Sequence, residues 1–169
     1  MKKFFYFFLA IPLIFACQET PEISSINPVN WDKRIATINP ETSMSAGKTY
    51  LSVYSQIYSQ TEHKTHNLTA MVSLRNTSIS DTIYILKADY FDTKGKRIRS
   101  YFNKPIYLSP LETVEIIIDE LDISGGTGAN FIFEWKTPIA SPEPIFEGIM
   151  SSTMGQQGLS FTTIGKRID

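Results

Sequence analysis

The glycine-rich segment before residue 130 contains the residues best suited to bind a small ligand. Its polar and glycine residues are Asp122, Gly125, Gly126, Gly128, Asn130 and Glu134. Backbone N–H groups in such a segment can converge on one anion. A phosphate loop, however, leads from a strand into a helix and often contains a lysine, whereas here a strand follows and Lys136 lies beyond it. The pattern favours a tight turn, and the turn is the first candidate for a binding loop.

The two histidines of the chain, His63 and His66, lie three positions apart. On a helical turn this spacing presents two imidazoles to one metal ion, with Glu62 as a third ligand. Lys64 lies between them, and we expect the segment to be a loop between two strands. A solvated polar loop is therefore favoured, and a metal-binding sensor is the alternative. No metal or cofactor is predicted.

The sequence predicts neither an enzyme nor a nucleic-acid-binding protein. No serine lies in the G-x-S-x-G pattern of the α/β-hydrolase nucleophile. The clustered acids Asp119, Glu120 and Asp122 fall on an expected turn, where solvation is more common than a catalytic dyad. The formal net charge of −1 offers no basic excess to attract phosphates.

Cys17 is the only cysteine, so it cannot form a disulfide within the chain. It follows Lys2, Lys3 and an uncharged apolar run over residues 4–16. A membrane-spanning helix needs about 20 apolar residues, and Pro12 interrupts this shorter run. We therefore expect residues 1–16 to be a signal peptide.

The residues around the cysteine, Leu13, Ile14, Ala16 and Cys17, resemble the bacterial lipobox. The resemblance implies cleavage before Cys17 and attachment of acyl chains to it. Because each buried CH₂ contributes about 0.8 kcal/mol, two or three chains hold a soluble domain firmly. The expected location is the bacterial cell envelope, facing the periplasm or exposed at the surface, with the membrane contacted through Cys17.

Residues 17–47 are predicted to be the lipidated N-terminus and a flexible linker. Prolines recur in this segment, at Pro21, Pro28 and Pro40. No period of 2 or 3.6 persists, and a flexible chain of about 30 residues spans roughly 30 Å. Trp31 and Ile35 are the residues that could dock onto the domain.

Short alternating segments from Lys48 onward predict β-strands separated by turns. The predicted strands cover residues 68–75, 83–91, 97–102, 113–118, 130–135, 145–152 and 159–164, with the last two paired across residues 155–158. In the second of these strands, one face is predicted to consist of Tyr84, Leu86, Ala88 and Tyr90. Tyr50, Tyr54 and Tyr58 suit a helix or a strand, and the β-branched and aromatic residues around them favour a strand.

These strands predict one domain over residues 48–169, an antiparallel β-sandwich of immunoglobulin-like type, with a small β-barrel as the alternative. The segments "LTAMVSLRNTS", "ADYFDTKGKRIRSYFNKPIYLSPLETVE", "SGGTGANFIFEW" and "GQQGLSFTT" resemble a bacterial domain-of-unknown-function family, number 3124, from about Tyr50 onward. Residues 75–77, 90–95 and 108–112 are also similar to short immunoglobulin-like envelope domains. The resemblance implies an envelope domain and brings no activity.

The sequence therefore predicts a lipid-anchored, non-catalytic envelope β-sandwich that acts as a binding or structural-accessory module. An envelope protein partner is left open. The alternative is a sensor that binds a small ligand or metal through the loop at Gly125–Asn130 or through His63 and His66.

Overall fold

The computed structural model describes residues 29–153 and 158–169 and consists mainly of antiparallel β-strands. The strands of the first sheet are β1 (Met44–Val53), β5 (Ile83–Phe91), β6 (Arg97–Ser100), β7 (Ile106–Leu108), β9 (Ala129–Pro138) and β12 (Lys166–Arg167). They lie in the order β12-β1-β9-β5-β6, and β7 pairs with the start of β5. The longest ladder joins β1 and β9, from Met44↔Pro138 to Val53↔Ala129.

The second sheet contains β4 (Thr69–Arg75), β8 (Thr113–Ile118), β10 (Ile145–Ser152) and β11 (Leu159–Ile164), in the order β11-β10-β4-β8. Side chains from both sheets form one core; for example, the rings of Phe133 in β9 and Phe146 in β10 stack with centroids 4.2 Å apart. Within residues 29–153 and 158–169, the sheets are not closed into a barrel. The predicted antiparallel β-sandwich is confirmed.

The pairing of the central strands follows the immunoglobulin arrangement, whereas that of the outer strands differs. The pairs β4·β8 and β5·β9 correspond to the B·E and C·F pairs of that fold. Here, however, β1 pairs with β9, and β10 pairs with β4. The first strand and the strand after β9 have therefore exchanged sheets relative to the immunoglobulin order.

Several strands, among them β8, β10 and β11, lie where the sequence predicts them. In β8, Val114, Ile116 and Ile118 face the core, as expected from the period of two. The strand prediction for the tyrosine-rich segment is also correct, since β1 is followed by β2 (Gln56–Ser59). The predicted pairing of β10 with β11 is confirmed as well.

The face predicted for β5 is wrong in its first half. Ile83 and Ile85 point into the core, whereas Tyr84 and Leu86 are half-buried. The register with β9 shifts between Ile85 and Lys87, and beyond this irregularity Ala88 and Tyr90 are fully buried. An extra residue at a bulge reverses the alternation, so the two halves of the strand bury opposite parities.

The loop predicted around the histidines is instead β3 (Thr61–Asn67), which pairs with β2. Most of its side chains are exposed and polar, so no apolar alternation marks it as a strand. Pairing with β2 forms it, supported by the Gln56 side-chain amide, which donates to Asn67 Oδ1 at 2.9 Å.

The described part of the predicted linker contributes to the fold. Strand β1 begins at Met44, before the predicted boundary at Lys48. Upstream, a 3₁₀ helix at Trp31–Arg34 buries Trp31, which is 7% exposed. Ile35 then forms an isolated bridge with Ile106. The prediction of a linker at residues 31–36 does not include these contacts, because the partner residues lie about 70 positions further along the chain.

The predicted signal peptide, Cys17 and the part of the predicted linker at residues 18–28 lie outside the described residues. In the part of the chain that the structure describes, no helix is both long enough and apolar enough to cross a membrane.

Candidate binding site

The predicted binding loop connects β8 to β9 through a 3₁₀ helix at Ile123–Gly125. Asp122 caps this helix, since its Oδ1 accepts a hydrogen bond from the Ser124 backbone N–H at 3.2 Å. Its Oδ2 accepts one from Arg99 Nη2 at 2.9 Å, and Asp122 is only 5% exposed. The loop is therefore tied to β6 by a largely buried ion pair.

Gly125 lies where no other residue fits. A Cβ atom there would lie 2.0 Å from Tyr90 Oη and 2.7 Å from Ser55 Oγ. These two hydroxyls are hydrogen-bonded to each other at 2.8 Å in the interior. Gly126 follows with φ of 72°, a left-handed conformation that favours glycine. The glycines are thus explained by close packing and a turn.

The backbone of the loop is already used in hydrogen bonds with its neighbours. The Gly126 carbonyl accepts from the N–H groups of Ser55 and Gln56, both at 3.1 Å. Thr93 Oγ1 donates to the Gly125 carbonyl and accepts from the Gly128 N–H, each at 3.0 Å. The Gly126 N–H donates to the Ile123 carbonyl at 3.1 Å. The N–H groups of Gly126 and Gly128 therefore already have acceptors, and ligand binding by this loop stays a prediction.

We call this set of mutually bonded residues the Gly125 cluster: Ser55, Tyr90, Thr93, Arg99, Asp122 and Gly125. Burial raises the pKa of Tyr90 to about 12, although the hydrogen bond between Tyr90 and Ser55 lowers it. Burial alone would lower the pKa of Arg99, but its bonds to Tyr101 and Asp122 raise it overall. The phenol is thus neutral and the guanidinium charged at neutral pH. The cluster ties three segments of chain together.

Two of the predicted site residues lie on the outward side of β9. Asn130 pairs with Ser52 of β1, and Glu134 forms an ion pair with Lys48, 3.3 Å between Oε1 and Nζ. Glu134 lies four residues beyond Asn130, about 13 Å along a strand. The structure does not bring Glu134 to the loop.

The two histidines lie in β3, where the register with β2 shifts between the pairs Tyr58↔Thr65 and Ser59↔Thr61. His63 Nε2 lies 3.4 Å from Glu62 Oε1, with the His63 side chain 85% exposed. Among residues 29–153 and 158–169, no group of three or more His, Cys, Asp or Glu is placed to hold a metal ion.

A cleft of about 640 Å³ lies between the first 3₁₀ helix and the chain that follows β6. Three largely buried aromatic residues, Trp31, Tyr101 and Phe102, form its floor. Its rim contains half-buried Val29 and exposed Ile35 together with four exposed polar residues: Asn30, Asp32, Asn103 and Lys104. We call this feature the Trp31 cleft. Its volume is typical of small-molecule sites.

Contacts between distant parts of the chain position the walls of the Trp31 cleft. The rings of Trp31 and Phe102 have centroids 5.0 Å apart and are inclined at 50°. Arg34, at the end of the helix, pairs with Glu112 at 2.8 Å. The hydrogen bond from Arg34 lowers the pKa of Glu112. Sequence reasoning noted Trp31 as able to dock, but it did not connect that tryptophan with the aromatic pair at 101–102.

A family model described as "Protein of unknown function (DUF3124)" matches residues 46–168, which confirms the predicted resemblance. None of the curated proteins matches the chain. The crystal structure of Thermotoga maritima 1070 is similar at a TM-score of 0.45 and 13% identity, covering 71% of this chain and 92% of that one.

Proposed function

The chain belongs to the DUF3124 family of proteins of unknown function, and for this member we propose a lipid-anchored, non-catalytic binding module of the bacterial envelope. The apolar N-terminal run and the lipobox-like residues before Cys17 support the anchor. The β-sandwich supports a binding role, because its strand edges and loops commonly host protein contacts.

One geometric observation carries the proposal: the chain arriving from the N-terminus is fastened to the sandwich at a defined place. Trp31 is buried, the Ala36 N–H donates to the Pro105 carbonyl at 2.9 Å, and Ile35 pairs with Ile106. These contacts define the place on the sandwich from which the chain leads back towards Cys17. A module with a defined attachment point keeps its other strand edges and loops available for a partner.

The anchor is tested on the full chain expressed in a bacterial host. Intact mass and membrane fractionation compare the wild type with Cys17→Ala, and Ser24→Ala is the matched control. We expect the wild type and Ser24→Ala to carry acyl mass and sediment with membranes, and Cys17→Ala to do neither. A wild-type protein without acyl mass would contradict the anchor.

The binding role is tested by crosslinking in cells. A photoreactive residue replacing exposed Ile35 would report on partners close to the fastened segment, and one replacing exposed Ile79 would report on another surface. We expect one envelope protein to be crosslinked reproducibly from one of these positions. Recovery of the uncrosslinked chain alone, from both positions, would contradict a partner-binding role.

A further inference from the structure

We propose that one end of the sandwich inserts three aliphatic side chains, Ile79, Leu111 and Ile139, into the lipid bilayer that holds the anchor. This insertion rests on the proposed anchoring through Cys17 and deepens it, because it names the part of the domain that meets the lipid. We call these three side chains the aliphatic tip.

Three loops at this end of the sandwich connect one sheet to the other. They are residues 76–82 between β4 and β5, residues 109–112 between β7 and β8, and residues 139–144 between β9 and β10. Strand β9 lies next to β5 in the first sheet, and β4 lies between β10 and β8 in the second. The sheet order therefore places the three loops side by side, with residues 76–82 in the middle.

Strand pairing shows that the three loops share one end. Arg75, the last residue of β4, pairs with the first residues of β8 and β10. Leu108, the last residue of β7, pairs with Ile83, the first residue of β5, and the start of β5 also pairs with the last part of β9. A hydrogen bond from the Leu111 N–H to the Ser78 carbonyl, at 3.0 Å, joins two of the loops directly.

The aliphatic tip is highly exposed to water. Ile79 is 83% exposed, Ile139 69% and Leu111 66%. Among the exposed residues of the three loops, Glu143 alone carries a charge, and it forms an ion pair with Arg167. Single exposed aliphatic residues are common in proteins, but three on adjacent loops with so little charge around them mark an interaction surface.

The backbone of Leu111 gives a second, independent observation. Its φ is 59°, in the left-handed region that favours glycine or asparagine. A leucine at this position combines a strained backbone with an apolar side chain in water, and neither property stabilises the fold. Residues held in such conformations cluster at binding sites, where the surrounding structure fixes them. Here the hydrogen bond to Ser78 holds the turn.

The polar groups of these loops are bonded within the domain. Asn76 Nδ2 donates to the carbonyls of Asp81, Leu108 and Ser109 at 2.7 to 3.1 Å. Asn76 Oδ1 accepts from the Ser78 N–H at 2.9 Å. Because hydrocarbon offers no hydrogen bonds, backbone groups at its surface must be satisfied by the protein. The loops can therefore approach lipid without exposing these carbonyls to it.

The chain that leads to the anchor is fastened beside the same end. Arg34 forms an ion pair with Glu112, the residue after Leu111, at 2.8 Å. The chain between Cys17 and Val29, the first described residue, spans at most about 43 Å. An acylated Cys17 would keep the aliphatic tip near the bilayer at a high effective concentration, so three side chains suffice where an untethered domain would need more.

A protein partner fits the aliphatic tip less well than lipid does. Protein interfaces are centred on Trp, Tyr and Arg in well-packed pockets, and none of these residue types occurs in the three loops. The opposite end of the sandwich also exposes Leu121 and Ile123, but Asp119 and Glu120 directly precede them. Desolvation of carboxylates opposes insertion at that end.

The test locates single fluorophores relative to lipid. Ile79→Cys, Leu111→Cys and Ile139→Cys are labelled with the environment-sensitive fluorophore NBD and reconstituted, as the full acylated protein, into vesicles of phosphatidylethanolamine and phosphatidylglycerol. Acylation leaves Cys17 without a free thiol. Leu121→Cys is the matched control, an exposed aliphatic position at the opposite end. We expect blue-shifted emission and quenching by nitroxide-labelled lipids at all three tip positions, and neither effect at the control.

A double variant measures the contribution of the tip. Ile79→Ser/Leu111→Asn removes two of its aliphatic side chains, and asparagine suits the left-handed backbone, so we expect the variant to fold. The fluorophore at Ile139→Cys should then insert about tenfold less, since each buried CH₂ contributes to membrane affinity. Leu121→Ser in the same labelled protein should leave the insertion unchanged. Equal insertion in the double variant would overturn the inference.

Intact mass of the same samples reports on the anchor separately. Acylated protein whose tip fluorophores emit like the control would overturn the insertion and leave the anchor standing. If no acyl mass is found, the anchor fails. The same labels in the Cys17→Ala chain, mixed with excess vesicles, then decide the insertion: quenching at the tip alone supports it, and no quenching overturns it.

One further outcome distinguishes lipid from protein. A blue shift at the tip that nitroxide-labelled lipids do not quench would assign the tip to a protein contact, such as a second copy of this chain, and would also overturn the inference.

Discussion

The Gly125 cluster and the Trp31 cleft are neighbours that differ in how their polar groups are used. They share Tyr101, whose hydroxyl is bonded to Arg99 of the cluster and whose ring lines the cleft. In the cluster, both oxygens of Asp122 are occupied by partners from the same domain. In the cleft, neither Trp31 Nε1 nor the polar rim side chains have a hydrogen-bond partner among residues 29–153 and 158–169.

The comparison separates polar groups that bind one another inside the fold from polar groups that have no partner among the described residues. A buried polar network whose members satisfy one another stabilises one arrangement of the chain and has little capacity left for a ligand. Exposed polar groups around a rigid concave floor contribute little to stability but can be desolvated on binding. Gly125, Gly126 and Gly128, the glycines of the predicted binding loop, lie within this buried network or are bonded to it.

The largest expected effect is at Gly125. We expect Gly125→Ala to lower the free energy of unfolding by about 3 kcal/mol, because its Cβ would overlap Tyr90 Oη and Ser55 Oγ. Gly158→Ala is the matched control, since a Cβ there meets nothing within 4 Å, and it should change stability by less than about 0.5 kcal/mol. Urea denaturation measures both. Equal stability of the two variants would show that the cluster is loosely packed.

The next effect concerns the ion pair of the cluster. We expect Arg99→Gln to cost about 2 kcal/mol, because it leaves the carboxylate of Asp122 without its charged partner in a largely buried place. Adding Asp122→Asn should recover part of that loss, and the coupling is obtained from a double-mutant cycle in urea. Strict additivity of the two changes would mean that the pair is not coupled.

The cluster should also make stability depend on pH in the alkaline range. The pKa of Tyr90 is raised from 10.0 to about 12, so the folded protein retains a proton that the unfolded chain loses first. Its contribution is complete below pH 10 and disappears as the pH rises towards 12. The change is on the order of 2 kcal/mol.

Tyr90→Phe is the control for this pH dependence. Denaturation curves between pH 9 and about 12 should show a shallower fall in stability for Tyr90→Phe than for the wild type. If stability falls with pH equally steeply in both proteins, the phenol of Tyr90 does not contribute to the pH dependence.

The smallest effect on stability is expected at the cleft rim. Asn103→Ala and Lys104→Ala should each change the free energy of unfolding by less than about 0.5 kcal/mol, because neither side chain has a partner in the described domain. Thermal unfolding measures this. A loss comparable to that of Arg99→Gln would erase the proposed difference between cleft and cluster.

Much of the β-sandwich could be predicted from local patterns. Strands β8, β10 and β11 lie at the predicted residues, and burial alternates along the whole length of β8 and β10. Where the alternation is interrupted or absent, prediction failed. The bulge in β5 reversed its buried face, and the exposed strand β3 carries no apolar signal at His63 and His66.

The candidate site was the less predictable part. The glycine spacing of residues 125–128 suggested an anion nest, but their packing depends on Tyr90 and Thr93 from another hairpin. The Trp31 cleft requires a tryptophan from the predicted linker to meet Phe102 about 70 residues later. No local pattern encodes either meeting.

The sequence by itself determined the strand-rich fold class, the positions of the strongly alternating strands and the family. Each of these depends on residue type and short spacing, which the chain shows directly. Only the tertiary structure decided that Gly125 is a packing position and that Trp31 lines a cleft. Those roles depend on side chains distant in sequence, whose meeting is set by strand register and by the burial of a common core.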